Sequence, residues 1–406
     1  MQKAIRVAFA SIPKDSGTFT FYRNLRPQLA KQGIEMFCVS VGKREAELWD
    51  KAYADENCVK LAPKSLKIKK QAKHFVKWVR DAKIDIVMGI NSRPILSAIE
   101  HLPQQVHALA RCANGFDHGY KITLSGKPRL ERIVALTPKL RQDLITSYGV
   151  SANEIELIPN GINPDAYKQA RKAKRGAQKV LQLAFIGRLE NTQKGVFHIP
   201  KILEALKKRD IPFKLSIAGK GRHKSILKDL LEIYLHEGSV EFMGALKADE
   251  LADFMGTQDI LLFTSHFEGC PNTLLEAMMA GMVPVSWLIE GTTDFIIDHQ
   301  KNGFVHTTKD YAGFAESIAS LNDNRALLDN LSKASADKAL KYFTNTIAAK
   351  AYANLFKEVV AQAKFHEPKS WSEFTPDPNF ETGLSDYLPA SLVTKIKNFK
   401  SAVLKK

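Results

Sequence analysis

The chain has 406 residues, 45% hydrophobic and 25% charged, which allows roughly two to three domains with cores of their own and excludes a disordered, collagenous or disulfide-stapled protein. The formal net charge is +16, and all of the surplus lies in residues 1–180, which carry 32 Lys/Arg against 16 Asp/Glu, while residues 181–406 carry 27 of each. A basic first half favours a polyanionic neighbour: nucleic acid, anionic lipid or a phosphorylated acceptor.

The N-terminal stretch Met1–Asp15 has a short apolar run without a small-residue cleavage pattern and reads as a first buried strand. That first strand is expected at Arg6–Ile12, and others at Ile34–Val41, Asp85–Ile90, Gln105–Arg111, Arg132–Thr137 and Ile155–Pro159. Amphipathic helices are expected between them at Phe19–Gln32, Lys64–Lys83 and Pro138–Tyr148. Turn residues at Asn160–Pro164 and an acid-free basic run, Gln169–Lys179, then mark an inter-domain linker. The alternation resumes with strands Leu181–Ile186, Phe213–Ala218, Val240–Met243, Ile260–Thr264 and Val283–Trp287, and helices Val196–Lys208, Lys224–His236, Ala248–Met255 and Thr273–Ala280. Tyr311–Gln362 is mostly helical, Glu367–Pro389 is rich in Pro, Asp and aromatics, and Ser391–Lys406 holds five lysines and no acid.

Alternating strands and helices make an α/β protein with parallel sheets, here two Rossmann-like domains facing each other across a cleft. The expected division is a first domain over 1–165, a basic linker over 166–180, a second domain over 181–362, and a C-terminal tail over 363–406. No apolar run reaches 18 residues, and the four cysteines (Cys38, Cys58, Cys112, Cys270) form no C-x-x-C pair. No membrane span or zinc site is therefore expected, and a reducing, cytoplasmic address is.

The chemistry is narrowed by what is missing. There is no phosphate loop of the G-x-x-x-x-G-K-[ST] type, and Ala218-Gly219-Lys220-Gly221 fails the dinucleotide fingerprint because position 224 is Lys. H-E-x-x-H and G-x-S-x-G are also absent, as is any D-x-D through which a carboxylate-bound metal would hold a nucleotide.

Two segments carry positive signals. The strand Leu181–Ile186 runs into Gly187-Arg188, with Lys194-Gly195 a few residues on, so that two cations stand at the carboxyl edge of a sheet where α/β folds bind ligands. An ordinary solvated loop is the alternative for this segment alone. The strand ending near Ser265 leads through Glu268, Gly269, Cys270, Pro271 and Asn272 into a helix containing Thr273, Leu274 and Glu276. Backbone N–H groups at such a helix start favour an anion, and the two acids suit sugar hydroxyls better than phosphate. Thr273-x-x-Glu276 also fits a capping box, in which the Glu only satisfies the helix start.

Together, Gly187-Arg188-Leu189, Lys194-Gly195, and Glu268-Gly269 through Pro271-Asn272 to Glu276-Ala277-Met278 strongly resemble the nucleotide-sugar half of family 4 glycosyltransferases, which have the GT-B fold. Leu136-Thr137-Pro138, Leu140 and Ile158–Ile162 resemble the family's segment before its domain crossover, and the resemblance is continuous over about Ala135–Phe304. It implies that Arg188 and Lys194 bind the donor diphosphate, Glu268 the transferred sugar and Glu276 the ribose. Gly269 through Leu274 would meet sugar and phosphate, and Met243 would end the strand beside the nucleobase. It further implies transfer with retention and no metal or other cofactor, from a UDP- or GDP-linked sugar. The family's Gly-Gly loop after the first strand is here Asp15-Ser16-Gly17-Thr18, with Gly17 the candidate for close approach to the donor, and His118 falls where many members carry an acceptor-side His.

Lys60–Arg80 holds eight Lys/Arg and no acid, with Ile68, Ala72, Phe75, Val76 and Val79 on one helical face. The helix either packs that face on a sheet or lies in an anionic membrane interface. Leu392, Ile396, Phe399 and Val403 give Ser391–Lys406 a similar face. The expected activity is transfer to a lipid-linked or phosphorylated glycan of the lipopolysaccharide type, peripheral to a membrane through Lys64–Arg80 and Ser391–Lys406. The alternatives are a nucleotide-sugar epimerase or hydrolase on the same fold, or a polyanion-binding protein; sparse aromatics among the lysines argue against nucleic acid.

Overall fold

The computed structural model describes residues 3–172, 179–362 and 366–377, together with Leu392 and Ile396. Its contacts divide it into two units, each built on a parallel sheet.

The first unit contains β1 (Ile5–Ala10), β2 (Ile34–Val41), β3 (Cys58–Leu61), β4 (Ile86–Gly89), β5 (His107–Cys112), β6 (Arg132–Ala135) and β7 (Ile155–Leu157), in the order β3-β2-β1-β4-β5-β6-β7. The second contains β8 (Leu181–Ile186), β9 (Phe213–Ala218), β10 (Val240–Gly244), β11 (Ile260–Phe263), β12 (Val283–Trp287) and β13 (Phe304–His306), in the order β10-β9-β8-β11-β12-β13. Each described pairing is parallel. Central strands such as β4 and β11 are buried at every position because helices cover both faces, so they read as continuous apolar runs.

Of the thirteen strands among the described residues, eleven coincide with expected ones; β3 and β13 are additional. The expected helix at Lys224–His236 is two pieces, Lys224–Leu230 and Glu232–His236. The division also differs from the expected one. The boundary falls between Gly161 and Ile162, and the chain from Thr346 joins the first unit. The helix Asn345–Ala361 directs Tyr352, Phe356 and Val359 inward, with Tyr352 5.4 Å from the Phe21 ring and Glu358 2.9 Å from Arg132. Of the expected linker, residues 166–172 fold against the second unit, where Arg171 donates to the carbonyls of Pro164 and Met279; residues 173–178 lie outside the described residues.

The basic helix spans Ile68–Asp81 and buries Ala72, Phe75, Val76 and Val79 in its own unit. Trp78 packs beside Phe75 and against Phe37 of β2, so the apolar stripe is spent on the sheet and only the lysine face is left to solvent. Residues 366–377 lie along this region: Trp371 stacks on His101 at 4.2 Å, and Lys73 and Lys69 stand over the rings of Trp371 and Phe374. Except for Leu392 and Ile396, Ser391–Lys406 lies outside the described residues. Among the described residues, no helix is long and apolar enough to cross a membrane.

Candidate active site

The site is assembled at the carboxyl edge of the second sheet. β8 ends at Ile186, and the chain turns through Gly187 into a short helix, Asn191–Lys194. Glu190 caps that helix by accepting the N–H groups of Thr192 (2.8 Å) and Gln193 (2.9 Å), and it also accepts from Arg222 at 2.6 Å. Burial opposes the charge, but the Gln193 N–H, the Arg222 guanidinium and Thr192 together hold the Glu190 carboxyl down to about 2.

β11 supplies the opposite wall. Thr264 Oγ1 donates to Lys194 O at 2.8 Å, and the His266 N–H donates to Gln193 O at 2.8 Å, stitching the loop after β11 to the loop after β8. Gly195 permits the approach. Its φ is +58°, and a Cβ there would lie 2.1 Å from Thr264 O and 2.9 Å from the His198 ring. His198 is buried, accepts or donates at 2.7 Å with Tyr311 OH, and lies 5.0 Å from the His266 ring. Burial, with the neighbouring charges of His266 and Lys309, pushes His198 down to about 4, so it is neutral near pH 7.

Within this frame the Lys194 ammonium donates to Glu268 Oε1 at 2.6 Å, both side chains being largely buried. Gln193 Nε2 reaches Glu268 Oε2 at 3.3 Å, and its carbonyl oxygen accepts from Arg188. Arg188, Gln193, Lys194 and Glu268 thus form one connected set, with Arg188 exposed at its rim. The helix Asn272–Met279 begins directly after Glu268–Pro271, and its start carries no side-chain cap.

Thr273 lies inside this helix, with Pro271 at the cap position, so the capping-box alternative for Glu276 does not apply. The Leu274 N–H bonds to Pro271 O at 3.1 Å in the first turn of this helix. β9 and β10 complete the edge. A Cβ on Gly219 would fall 1.8 Å from Gly187 O, so the loop after β9 lies against the loop after β8, and Met243 stands exposed at the end of β10.

Gly17 and His118 belong to the first unit. Gly17 opens the helix Gly17–Ala30 behind the Ser16 cap, outside the left-handed region, so its backbone conformation does not demand glycine. His118 is exposed on the first turn of the helix Asp117–Thr123. Gln193 and Glu190 were not anticipated. The spacing Glu190-x-x-Gln193 ahead of Lys194 is the available signal, since an acid three residues before an amide fits a capped short helix.

Two family models match successive stretches of the chain: Glycosyltransferase Family 4 over residues 16–166, and Glycosyl transferases group 1 over residues 167–338. The chain is 26% identical over 226 residues to a glycogen synthase of Mycobacterium tuberculosis, covering 56% of this chain and 54% of that one. It is 31% identical over 127 residues to an N,N'-diacetylbacillosaminyl-diphospho-undecaprenol alpha-1,3-N-acetylgalactosaminyltransferase of Campylobacter jejuni, covering 31% and 33%. The chain spans about half the length of the first of these curated relatives. A crystal structure of a glycosyltransferase from Rickettsia africae shares its fold, with a TM-score of 0.72 at 16% identity over 89% of this chain and 100% of that one. Parallel-sheet units of the GT-B type, the connected set at the second sheet's edge and the two family matches lead to one conclusion: the chain belongs to the group 1 glycosyltransferases.

Proposed function

We propose that the chain moves a sugar from a nucleoside-diphosphate sugar to a hydroxyl of an anionic or lipid-linked glycan, with retention of configuration and without a metal. The observation that carries this reading is the contact of Lys194 with Glu268 in a set that also holds Arg188, beside an uncapped helix start. Cations and backbone dipoles suit the diphosphate, and a buried carboxylate suits sugar hydroxyls.

In the proposed reaction the bond from the anomeric carbon to the β-phosphate oxygen breaks, and the electron pair leaves with the nucleoside diphosphate. Arg188, Lys194 and the Asn272–Met279 helix start stabilise the charge that builds there. The acceptor hydroxyl bonds to the anomeric carbon on the face the diphosphate is leaving and passes its proton to the departing phosphate. Glu268 orients the sugar while the Lys194 charge lies on its other side, and Glu276 holds the ribose.

The acceptor class is supported by charge. The surplus of Lys/Arg lies in the first half, and the Campylobacter relative is named for a diphospho-linked acceptor. With the apolar stripe of the basic helix buried, attraction to an anionic membrane is electrostatic, through Lys70, Lys73, Lys77 and Arg80. Incubation with candidate donors and a lipid-diphosphate sugar in EDTA, followed by NMR of the product's anomeric proton, tests the reading. A retained configuration at undiminished rate supports it; inversion, or activity restored only by a divalent metal, contradicts it.

A further inference from the structure

Two of the four cysteines, which form no C-x-x-C pair in sequence, are brought side by side by the first sheet. β2 and β3 run parallel in a register that sets Cys38 directly beside Cys58. Register partners on neighbouring strands project from the same face of a sheet, and the strands lie about 4.8 Å apart. A Cα spacing of that size falls within the span of a disulfide, about 4.4–6.8 Å. Cys112 lies on β5, which neighbours neither β2 nor β3, and Cys270 belongs to the second unit, so the pairing is confined to Cys38 and Cys58.

The two thiols differ in a way that gives them separate roles. β3 is the outer strand of its sheet, and Cys58 is half-buried there, whereas Cys38 is fully buried. Cys58 Sγ donates to Asp55 Oδ1 at 3.2 Å and accepts the Asp55 N–H at 3.5 Å. The Asp55 carboxylate is held in turn by Tyr22 OH at 3.0 Å and Arg26 at 3.1 Å. The Cys38 thiol holds Cys58 below the ordinary thiol range, against burial and with help from the Asp55 N–H. Burial pushes Cys38 far above that range. Thiolate character and access together select the attacking sulfur, so Cys58 is the reactive member and Cys38 the one that resolves it.

We propose that Cys38 and Cys58 form a reversible redox pair, in which hydrogen peroxide oxidises Cys58 and Cys38 closes the disulfide. The Cys58 proton passes to the Asp55 carboxylate, and the sulfur takes one peroxide oxygen as the O–O bond breaks. The released hydroxide collects that proton as water and leaves Cys58 a sulfenic acid. The Cys38 sulfur then bonds to the Cys58 sulfur, the S–O bond breaks, and hydroxide departs with the Cys38 proton as a second water. Each sulfur is oxidised by one electron, and each peroxide oxygen is reduced by one. Directly paired strands hold their Cβ atoms about a strand spacing apart, wider than the roughly 3.8 Å of a relaxed disulfide, so β3 must be drawn inward to close the bond. Bonds made against such a pull are the readily reduced, regulatory kind. Closure ties off Val39–Asn57, the segment that contains the helix Lys43–Glu47. The pair belongs to the first unit and uses no residue of the donor set.

The test treats the reduced, folded full chain with a small excess of hydrogen peroxide near neutral pH, blocks the remaining thiols, and maps the product by peptide mass spectrometry before and after dithiothreitol. A Cys38–Cys58 cross-linked peptide should be the main product, and dithiothreitol should return both thiols. Cys112 and Cys270 should react about tenfold or more slowly. In Cys38→Ser, Cys58 should stop at a sulfenic acid that dimedone captures. In Cys58→Ser, a change on a half-exposed edge strand, Cys38 should be oxidised about tenfold or more slowly than in the wild type. The cross-link in the unsubstituted chain depends on no variant folding. No Cys38–Cys58 peptide from the folded chain, its appearance only in urea, or disulfide-linked chains in its place overturns the inference. Equal oxidation of all four cysteines, or undiminished oxidation of Cys38 in Cys58→Ser, overturns it as well.

Discussion

Lys194 and Glu268, seventy-four residues apart in sequence, meet at 2.6 Å because two independent hydrogen bonds, one from the Thr264 hydroxyl and one from the His266 N–H, lock the loops that carry them. The ion pair is mostly desolvated, so each charge depends on the other and on Gln193 for its position. Lys194→Ala and Glu268→Ala are each expected to lower turnover at least about tenfold with the fold retained, a loss of about 1.4 kcal/mol or more in transition-state stabilisation. The double variant should lose less than the product of the two, and steady-state kinetics on all three, with circular dichroism as the folding check, measures it.

Gly195 is the backbone condition for that meeting. Gly195→Ala puts a methyl group into Thr264 O at a positive φ, and a loss of about 2–4 kcal/mol together with weakened nucleotide binding is expected. Gly149 is the control: its φ is +64° but nothing lies within 4 Å of its Cβ position, so Gly149→Ala should cost only about 1 kcal/mol and leave nucleotide binding intact. Urea melts with and without nucleotide separate the two cases.

Glu45 links stability to pH. Burial pushes its carboxyl from 4.5 up to about 7, against the opposing pull of the Val41 N–H, Ser92 and Lys14. An acid with a raised folded pKa contributes stability that is whole below its unfolded value and is lost as pH climbs through the folded one. The wild type should therefore lose up to about 3 kcal/mol between about pH 4.5 and 8 that Glu45→Gln does not lose. The variant should melt higher than wild type at about pH 8 and close to it at about pH 5, which differential scanning calorimetry across that range reads; a parallel pH profile for the two proteins contradicts it.

Arg111 anchors the helix Asn345–Ala361 to the first sheet. Its buried guanidinium lies 3.9 Å over the Phe21 ring, donates to Tyr352 OH at 3.3 Å and reaches Asn160. Arg111→Ala should cost about 2–4 kcal/mol through the lost packing and unpaired polar groups, and Tyr352→Phe about 1 kcal/mol. Hydrogen exchange along Asn345–Ala361 should rise in Arg111→Ala more than in any helix of the second unit.

Most of the fold was legible because buried parallel strands are unbroken apolar runs. β3 was not: Cys58–Leu61 is a short, half-exposed edge with no apolar run to mark it. Nor was the allegiance of the helix Asn345–Ala361, since the spacing of Tyr352, Phe356 and Val359 shows that a face is buried but not which sheet receives it. At the site, Arg188, Lys194 and Glu268 stood out as charges at strand ends. Gln193 looked like a solvated loop residue until folding placed it between Arg188 and Glu268. Glu45 was hidden in the same way, because Lys43–Glu47 reads as a polar surface turn and only folding sets its carboxyl against the Val41 N–H.

The most direct test of the account is isothermal titration of the free nucleoside diphosphate and its nucleoside into wild type, Arg188→Ala, Lys194→Ala and the double variant. The account predicts that each single change weakens the diphosphate by about tenfold or more, that the double change weakens it further, and that the nucleoside binds all four alike. Equal affinity of wild type and double variant for the diphosphate would contradict it.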